Sequence, residues 1–280
     1  MGTSQSSNGA PSGVSLVPPW VPALDLPDNV PSEDESENQD DQKDQVSTPS
    51  EKTMPPQLAP IARFGSARRN VGEYAHSGSS KHMRQGLGHY IHRGLGGSST
   101  AVRRFGGTIR TAVALNRTFL AFSEGKSFKG LDPKILSSRS AREVLDAIVE
   151  TVRPVEGNLD AEASREAISK SLSELLSRFP EADLLNLTED QRLFAIQQYI
   201  ALDVLNRFQL DIGKTIQEKA PSALVTMQRI HDIRNFIIEQ VAASFRKIQN
   251  NREFFSSHGI EQIVQSALRD TFEVFEEYVQ

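Results

Sequence analysis

The chain has no cysteine and a single tryptophan, Trp20, among 280 residues. Without cysteine there can be no disulfide, thiolate metal site or cysteine nucleophile, a composition that suits a reducing compartment without requiring one. No apolar run approaches the ~20 residues that a membrane-spanning helix needs. The Gly/Ser/Pro-rich start has neither the early basic region nor the apolar stretch of a secretory signal. Strand signals are missing too: no segment sustains two-residue alternation and none reads as a hairpin. Motifs of the G-x-S-x-G and H-E-x-x-H kind are absent, so nothing in the motifs argues for an enzyme, and a non-enzyme is expected. Hydrophobic residues make up 38%, low for a chain packed throughout.

What is present is unevenly distributed. Residues 1–60 hold ten of the fourteen prolines and carry ten acidic against two basic side chains. Residues 61–110 hold ten of the eighteen glycines and carry nine Lys or Arg against one acid, Glu73. Charge asymmetry this sharp marks interaction segments. The division that follows is a disordered acidic, Pro-rich tail over 1–60, a basic Gly-rich helical segment over 61–130, and a helical bundle over 131–280.

The tail cannot bury enough apolar surface to offset its ordering entropy. Its acidic block is Glu33, Asp34, Glu35, Glu37, Asp40, Asp41 and Asp44. One apolar island, residues 14–26, contains Val17, Pro18, Pro19 and Trp20. Prolines stiffen an extended backbone and tryptophan is a favoured interface anchor, so these four residues read as a docking element. Packing of Trp20 on the protein's own body is the alternative. At the extreme end, removal of Met1 would expose Gly2 as an unobstructed α-amine, partly unprotonated near neutral pH and therefore nucleophilic. Gly2 with Ser6 also fits the myristoylation pattern, although one chain beside an acidic tail would anchor weakly. No membrane association is expected.

The basic segment predicts a helix over 81–93, a break at 94–97, and a second helix capped by Ser98 or Ser99, with Gly106 and Gly107 inside it permitting close packing or a bend. His82, His89 and His92 could share a face, but neighbouring arginines disfavour a cation there. The 94–99 stretch lacks the lysine and preceding strand of a nucleotide P-loop. Glycines leading into a helix N-terminus do expose backbone N–H groups. With Arg93, Arg103 and Arg104 nearby, Gly96, Gly97 and Ser98 form a candidate anion site. Three readings stand: a nucleic-acid phosphate, the chain's own acidic block at 33–44, or a plain structural turn.

From residue 111 on, the periodicity is helical. Segments 137–153 and 160–179 each end at a proline, Pro154 and Pro180. Thr188 and Gln191 form a capping box opening a helix over 188–219. Pro221 suits a first helical turn, and Leu224, Met227, Ile230, Ile233, Ile237, Val241, Phe245 and Ile248 recur at spacings of three and four. Gly259 precedes a last helix. The fold class is therefore all-α, a disordered tail followed by a bundle with long antiparallel helices. The carboxylate pairs Asp160/Glu162, Glu189/Asp190 and Glu276/Glu277 read as helix-start charges or a terminal polar face.

Taken together, M-G-T-S at 1–4, P-P-W at 18–20, the acidic linker and the run G-H-Y-I-H-R-G-L-G-G-S-S-T-A-V-R-R-F-G-G at 88–107 resemble the B component, QatB, of the four-gene Qat anti-phage defence system of bacteria. The resemblance implies a cytoplasmic bacterial protein whose partners are an ATPase (QatA-like), a QueC-like enzyme (QatC) and a TatD-like nuclease (QatD). It further implies that the QueC-like partner conjugates a deazaguanine derivative to Gly2, or to Gly9 or Gly13 after trimming, with Val17 to Trp20 docking that partner. On that reading the chain binds no cofactor of its own. Two other functions remain open: a nucleic-acid-binding subunit working through 61–110, and a helical oligomeric scaffold.

Overall fold

A computed structural model describes residues 62–250 and 259–279. Among these residues the fold is all-α, as predicted, with no strand and a single isolated bridge between Phe128 and Leu131. The helices are α1 Gly65–Ser77, α2 Ser80–His89, α3 Ser98–Arg104, α4 Gly106–Ser123, α5 Pro133–Leu136, α6 Ala141–Val152, α7 Leu159–Arg178, α8 Glu189–Lys219, α9 Ala223–Asn250 and α10 Ile260–Glu277. A π-helical turn, Tyr90–Leu95, continues α2. The expectations for 1–60 fall outside the described residues. None of the described helices is long and apolar enough to cross a membrane.

The organising element is α8, 31 residues and therefore about 46 Å long. Its middle, from Tyr199 through Asn206, is buried on every side, which is how a helix behaves when it is surrounded rather than laid on a surface. Helices α1, α4, α7 and α9 pack around it. The predicted Thr188/Gln191 capping box is formed: each partner bonds the other's backbone N–H. A second box, Ser140 with Glu143, starts α6, so the helix predicted from 137 begins four residues later, where a side chain satisfies its first N–H groups.

A three-residue link, 220–222, returns the chain from α8 into α9, giving the predicted long antiparallel pair. Pro221 stands before α9 rather than in its first turn; the Ser222 hydroxyl accepts from the Val225 N–H at 3.3 Å. The apolar stripe of α9 is buried only from Ile233 onward, while Leu224 and Met227 are 77% and 70% exposed. Helix α10 explains the difference. It runs back along α9, pairing Thr271 with Ser244 and Phe275 with Phe236, and ends before it reaches the first turns of α9. One continuous apolar core runs from Phe64 to Phe275, so the glycine-rich segment and the later helices share an interior.

Candidate functional site

The glycine-rich run is a joint between helices. An added Cβ at Gly86 would lie 2.6 Å from Val71 Cγ2, at Gly88 2.6 Å from the Phe275 carbonyl oxygen, and at Gly94 2.5 Å from the Phe64 ring. Each glycine lets a neighbour approach where no other residue fits. The π-helical turn ends at Gly96 and Gly97, whose φ values of +86° and +91° favour glycine. The helix predicted over 81–93 thus ends as expected near 95, but with a widened last turn that carries Phe64 stacked on Tyr90.

The start of α3 corrects two expectations. Gly97, not Ser98 or Ser99, is the capping residue, and no side chain of the chain's own first turn caps α3. The Ser98 N–H instead donates to Glu276 Oε2 at 3.0 Å, while Glu276 Oε1 lies 3.2 Å from His92 Nδ1. The anion seated on this turn is therefore a carboxylate from α10, 178 residues away in the chain. Burial alone would raise the Glu276 pKa, but hydrogen bonding by Ser98 and His92 outweighs it and holds the group below the ordinary carboxylate range. A group with a lowered folded-state pKa adds stability above its unfolded pKa and loses it as pH falls through the folded value. A Glu276→Gln variant should accordingly lose about 1.5 kcal/mol at neutral pH, a deficit that shrinks below about pH 4. Denaturant unfolding across pH measures this, and a pH-independent deficit would contradict the assignment.

The structure does not bring the predicted anion-site residues together. Arg93 donates to Ser66 Oγ at 3.2 Å and Arg103 to Thr100 Oγ1 in its own helix. Among the remaining basic residues of the segment, Arg68 bonds the Asp211 carbonyl oxygen and Arg84 lies over the rings of Phe236 and Tyr278. Of the predicted residues, Arg104 lines an open cleft. The chain does not run straight there: α3 ends at Phe105 and α4 begins at Gly106, so the glycine pair marks a bend. Gly2 and the docking residues Val17, Pro18, Pro19 and Trp20 lie outside the described residues.

That cleft is the strongest candidate site. It consists of two adjoining cavities that share Arg104, Asp160 and Arg207. One, about 570 Å³, is lined by Arg104, Gly107, Arg110, Arg153, Asn158 and Arg207 among others. The other, about 310 Å³, adds Arg63, Tyr90 and Asp211. Arg207 anchors the whole. Its Nε donates to Asp203 Oδ2 at 3.2 Å, its Nη1 reaches Asp160 at 3.4 Å, and its guanidinium lies 5.0 Å over the Phe105 ring. Burial works against the Arg207 charge, but Asp203 and Asp160 outweigh it and raise its pKa.

Behind Arg207 lies a buried polar network. Asp203, 0% exposed, accepts from Thr108 of α4; Ser164 of α7 bonds the Tyr199 hydroxyl at 2.8 Å; Asn206 donates to the Ala163 carbonyl oxygen. Burial pushes the Asp203 pKa up, opposed by Arg207 and Thr108. Sequence reasoning passed over Asp203 and Arg207. Their signal was a carboxylate inside an otherwise apolar run, Ile200 to Leu205, followed four residues later by arginine. Among the described residues no group of three or more His, Asp or Glu is placed to hold an ion. His231 Nε2 lies 2.9 Å from Asn235 Nδ2, and the Asp232 carboxylate accepts from the Tyr74 hydroxyl.

Fold and site together define a class: an all-α protein built on a central buried helix, with polar groups tied into helix–helix contacts and an arginine-lined cleft at one joint. The model of one protein family, described as Qat anti-phage system associated protein QatB, matches residues 96–275. The chain belongs to that family. Its matched region begins at the Gly96–Gly97 turn and ends beside Glu276, the residue that closes this turn. Membership gives the protein a role in the Qat anti-phage system and makes other components of that system its partners. No curated protein and no solved structure matches the chain.

Proposed function

We propose that this protein is a non-enzymatic substrate and adaptor of the Qat system, with its helical body docked among the other components and Gly2 offered to a QueC-like partner in the bacterial cytoplasm. The observation that carries the reading is membership of the QatB family. The body supports it in a second way. Its most reactive-looking polar groups are engaged in holding helices together: Glu276 on the α3 turn, Asp203 between Thr108 and Arg207, Ser164 on Tyr199. The chemistry then belongs to the partner, which activates a deazapurine carboxyl group with ATP: the α-amine exposed when Met1 is removed attacks the carboxyl carbon, an amide bond forms, the bond to the ATP-derived activating group breaks, and the amine gives up a proton. A nucleophilic terminal amine on a glycine has no side chain to obstruct entry into another protein's pocket.

Intact-mass spectrometry of the full chain co-expressed with the QueC-like component tests this. The N-terminal peptide is expected to gain the mass of the deazapurine group, and a Gly2→Glu variant to lose that gain. Peptide mapping separates Gly2 from Gly9 or Gly13 as acceptor. A terminal peptide that stays at its unmodified mass with every Qat component present would overturn the proposal.

A further inference from the structure

We infer that the arginine cleft is a binding site for a small anion bearing several phosphate groups, a nucleotide or a polyphosphate. The larger cavity collects guanidinium groups from four separate places: Arg104 from α3, Arg110 from α4, Arg153 just after α6, and Arg207 from α8. Convergence from four elements cannot be produced by the periodicity of one helix, where a run of like charges simply lines a solvated face. Only one carboxylate, Asp160, lines this cavity. Its side chain is 61% exposed, and it shares Arg207 with Asp203. An incoming phosphate could take the place of Asp160 without stripping Arg207 of its buried partner.

The guanidinium groups differ in what already occupies them, and the difference points outward. Arg104 and Arg110 make no ion pair or hydrogen bond among the described residues, and both are exposed at the cleft. Arg153 pairs with Glu156 at 2.9 Å through one terminal nitrogen, yet its Nε is buried without a partner. The first turn of α4, at Gly107, and the start of α7, at its capping residue Asn158, also line this cavity, which adds positive potential to that of the side chains.

Charge and size select the ligand class. Arg153 is answered by Glu156 and Arg207 by Asp203 and Asp160, so the positive charge of the cleft rests on Arg104 and Arg110, and it grows when a ligand displaces Asp160. Planar guanidinium forks match phosphate oxygens bidentately. A volume of about 570 Å³ falls in the range of small-molecule sites, and the adjoining cavity, with the Tyr90 hydroxyl already bonded to Asp211, extends the same cleft for the remainder of a nucleotide. A nucleic-acid strand is the competing macromolecular occupant. It fits less well because most other arginines of the 61–110 segment are taken up singly, away from this cavity.

Calorimetric titration of the full chain with inorganic tripolyphosphate, with ATP and with a short single-stranded oligonucleotide tests the site. Tripolyphosphate and ATP should bind in low salt and weaken as salt is raised. A double variant, Arg104→Ala with Arg110→Ala, should lose affinity by about tenfold or more, and Arg269→Ala, on an exposed position of α10, should not change it. Neither Arg104 nor Arg110 has a partner to lose among the described residues, so the melting curve of the double variant should match that of the unaltered protein. Tighter ATP than tripolyphosphate binding assigns a nucleotide; equal binding assigns a polyphosphate. Absence of binding by both, or binding that the double variant leaves intact, would overturn the inference. So would oligonucleotide binding sensitive to the double variant when neither small anion binds.

Discussion

Replacing Asp203 with alanine is expected to lower the stability of the helical body by about 3–5 kcal/mol, because it removes one partner of a buried ion pair and strands the other. The Asp203 carboxylate is fully buried between α8 and α4 and holds both the Thr108 hydroxyl and Arg207 Nε. Without it, Arg207 keeps only Asp160, at 3.4 Å and largely exposed, and the Thr108 hydroxyl is left buried without an acceptor. Asp203→Asn, which keeps the volume and an acceptor for Thr108, should cost distinctly less. Guanidinium denaturation at neutral pH gives both numbers; an alanine deficit below about 1 kcal/mol would show that the network carries no net stability. The pH dependence runs opposite to that of Glu276. Burial raises the folded-state pKa of Asp203, so the proton-linked part of its contribution is full below the unfolded carboxylate pKa and is lost as pH rises through the raised value, while the bonds to Thr108 and Arg207 persist.

Gly88→Ala is the second large effect, expected to destabilise the body by about 1–3 kcal/mol through overpacking. The new methyl group would meet the Phe275 carbonyl oxygen at 2.6 Å and Val279 Cγ1 at 2.8 Å. A side chain can rotate away from such a clash; the carbonyl of a helical residue cannot, because it is fixed by the course of α10. Relief therefore requires α10 to shift from α2, which would also pull Glu276 from the Ser98 N–H. Gly125→Ala is the comparison. It has φ +67° but nothing within 4 Å, so any loss there reports backbone strain alone. Thermal melts of the two variants separate these causes, and equal losses would argue against the close contact at Gly88.

The helical body was legible in the residues because its periodicity is local: Thr188 with Gln191, the spacing from Ile233 to Ile248, and prolines at 154 and 180 each signal within one or two turns. What pairs across the chain was not. The run at 88–107 advertised its glycines, yet composition alone does not say whether a missing Cβ makes room for a phosphate or for the Phe275 carbonyl. Glu276 looked like half of a terminal acidic pair, and only its approach to Ser98 reveals a cap. The cleft was anticipated at Arg104 alone. Arg110, Arg153 and Arg207 belong to three other elements, and no spacing rule relates positions that meet only after α4, α6 and α8 have packed. The overreach at Leu224 and Met227 has the same origin: periodicity shows which face of α9 is apolar, not how far α10 extends to cover it.

The all-round burial of α8 has a consequence for how the molecule comes apart. A peripheral helix can peel away and leave its neighbours wet on one side only. Here four helices rest on the same central rod, so loosening α1, α4, α7 or α9 bares part of α8 from Tyr199 to Asn206 and weakens the grip of the others. Partial opening is thereby penalised relative to complete opening, and the body behaves as one cooperative unit. A partner that binds any one of the outer helices consequently steadies the whole assembly, including the distant turn closed by Glu276.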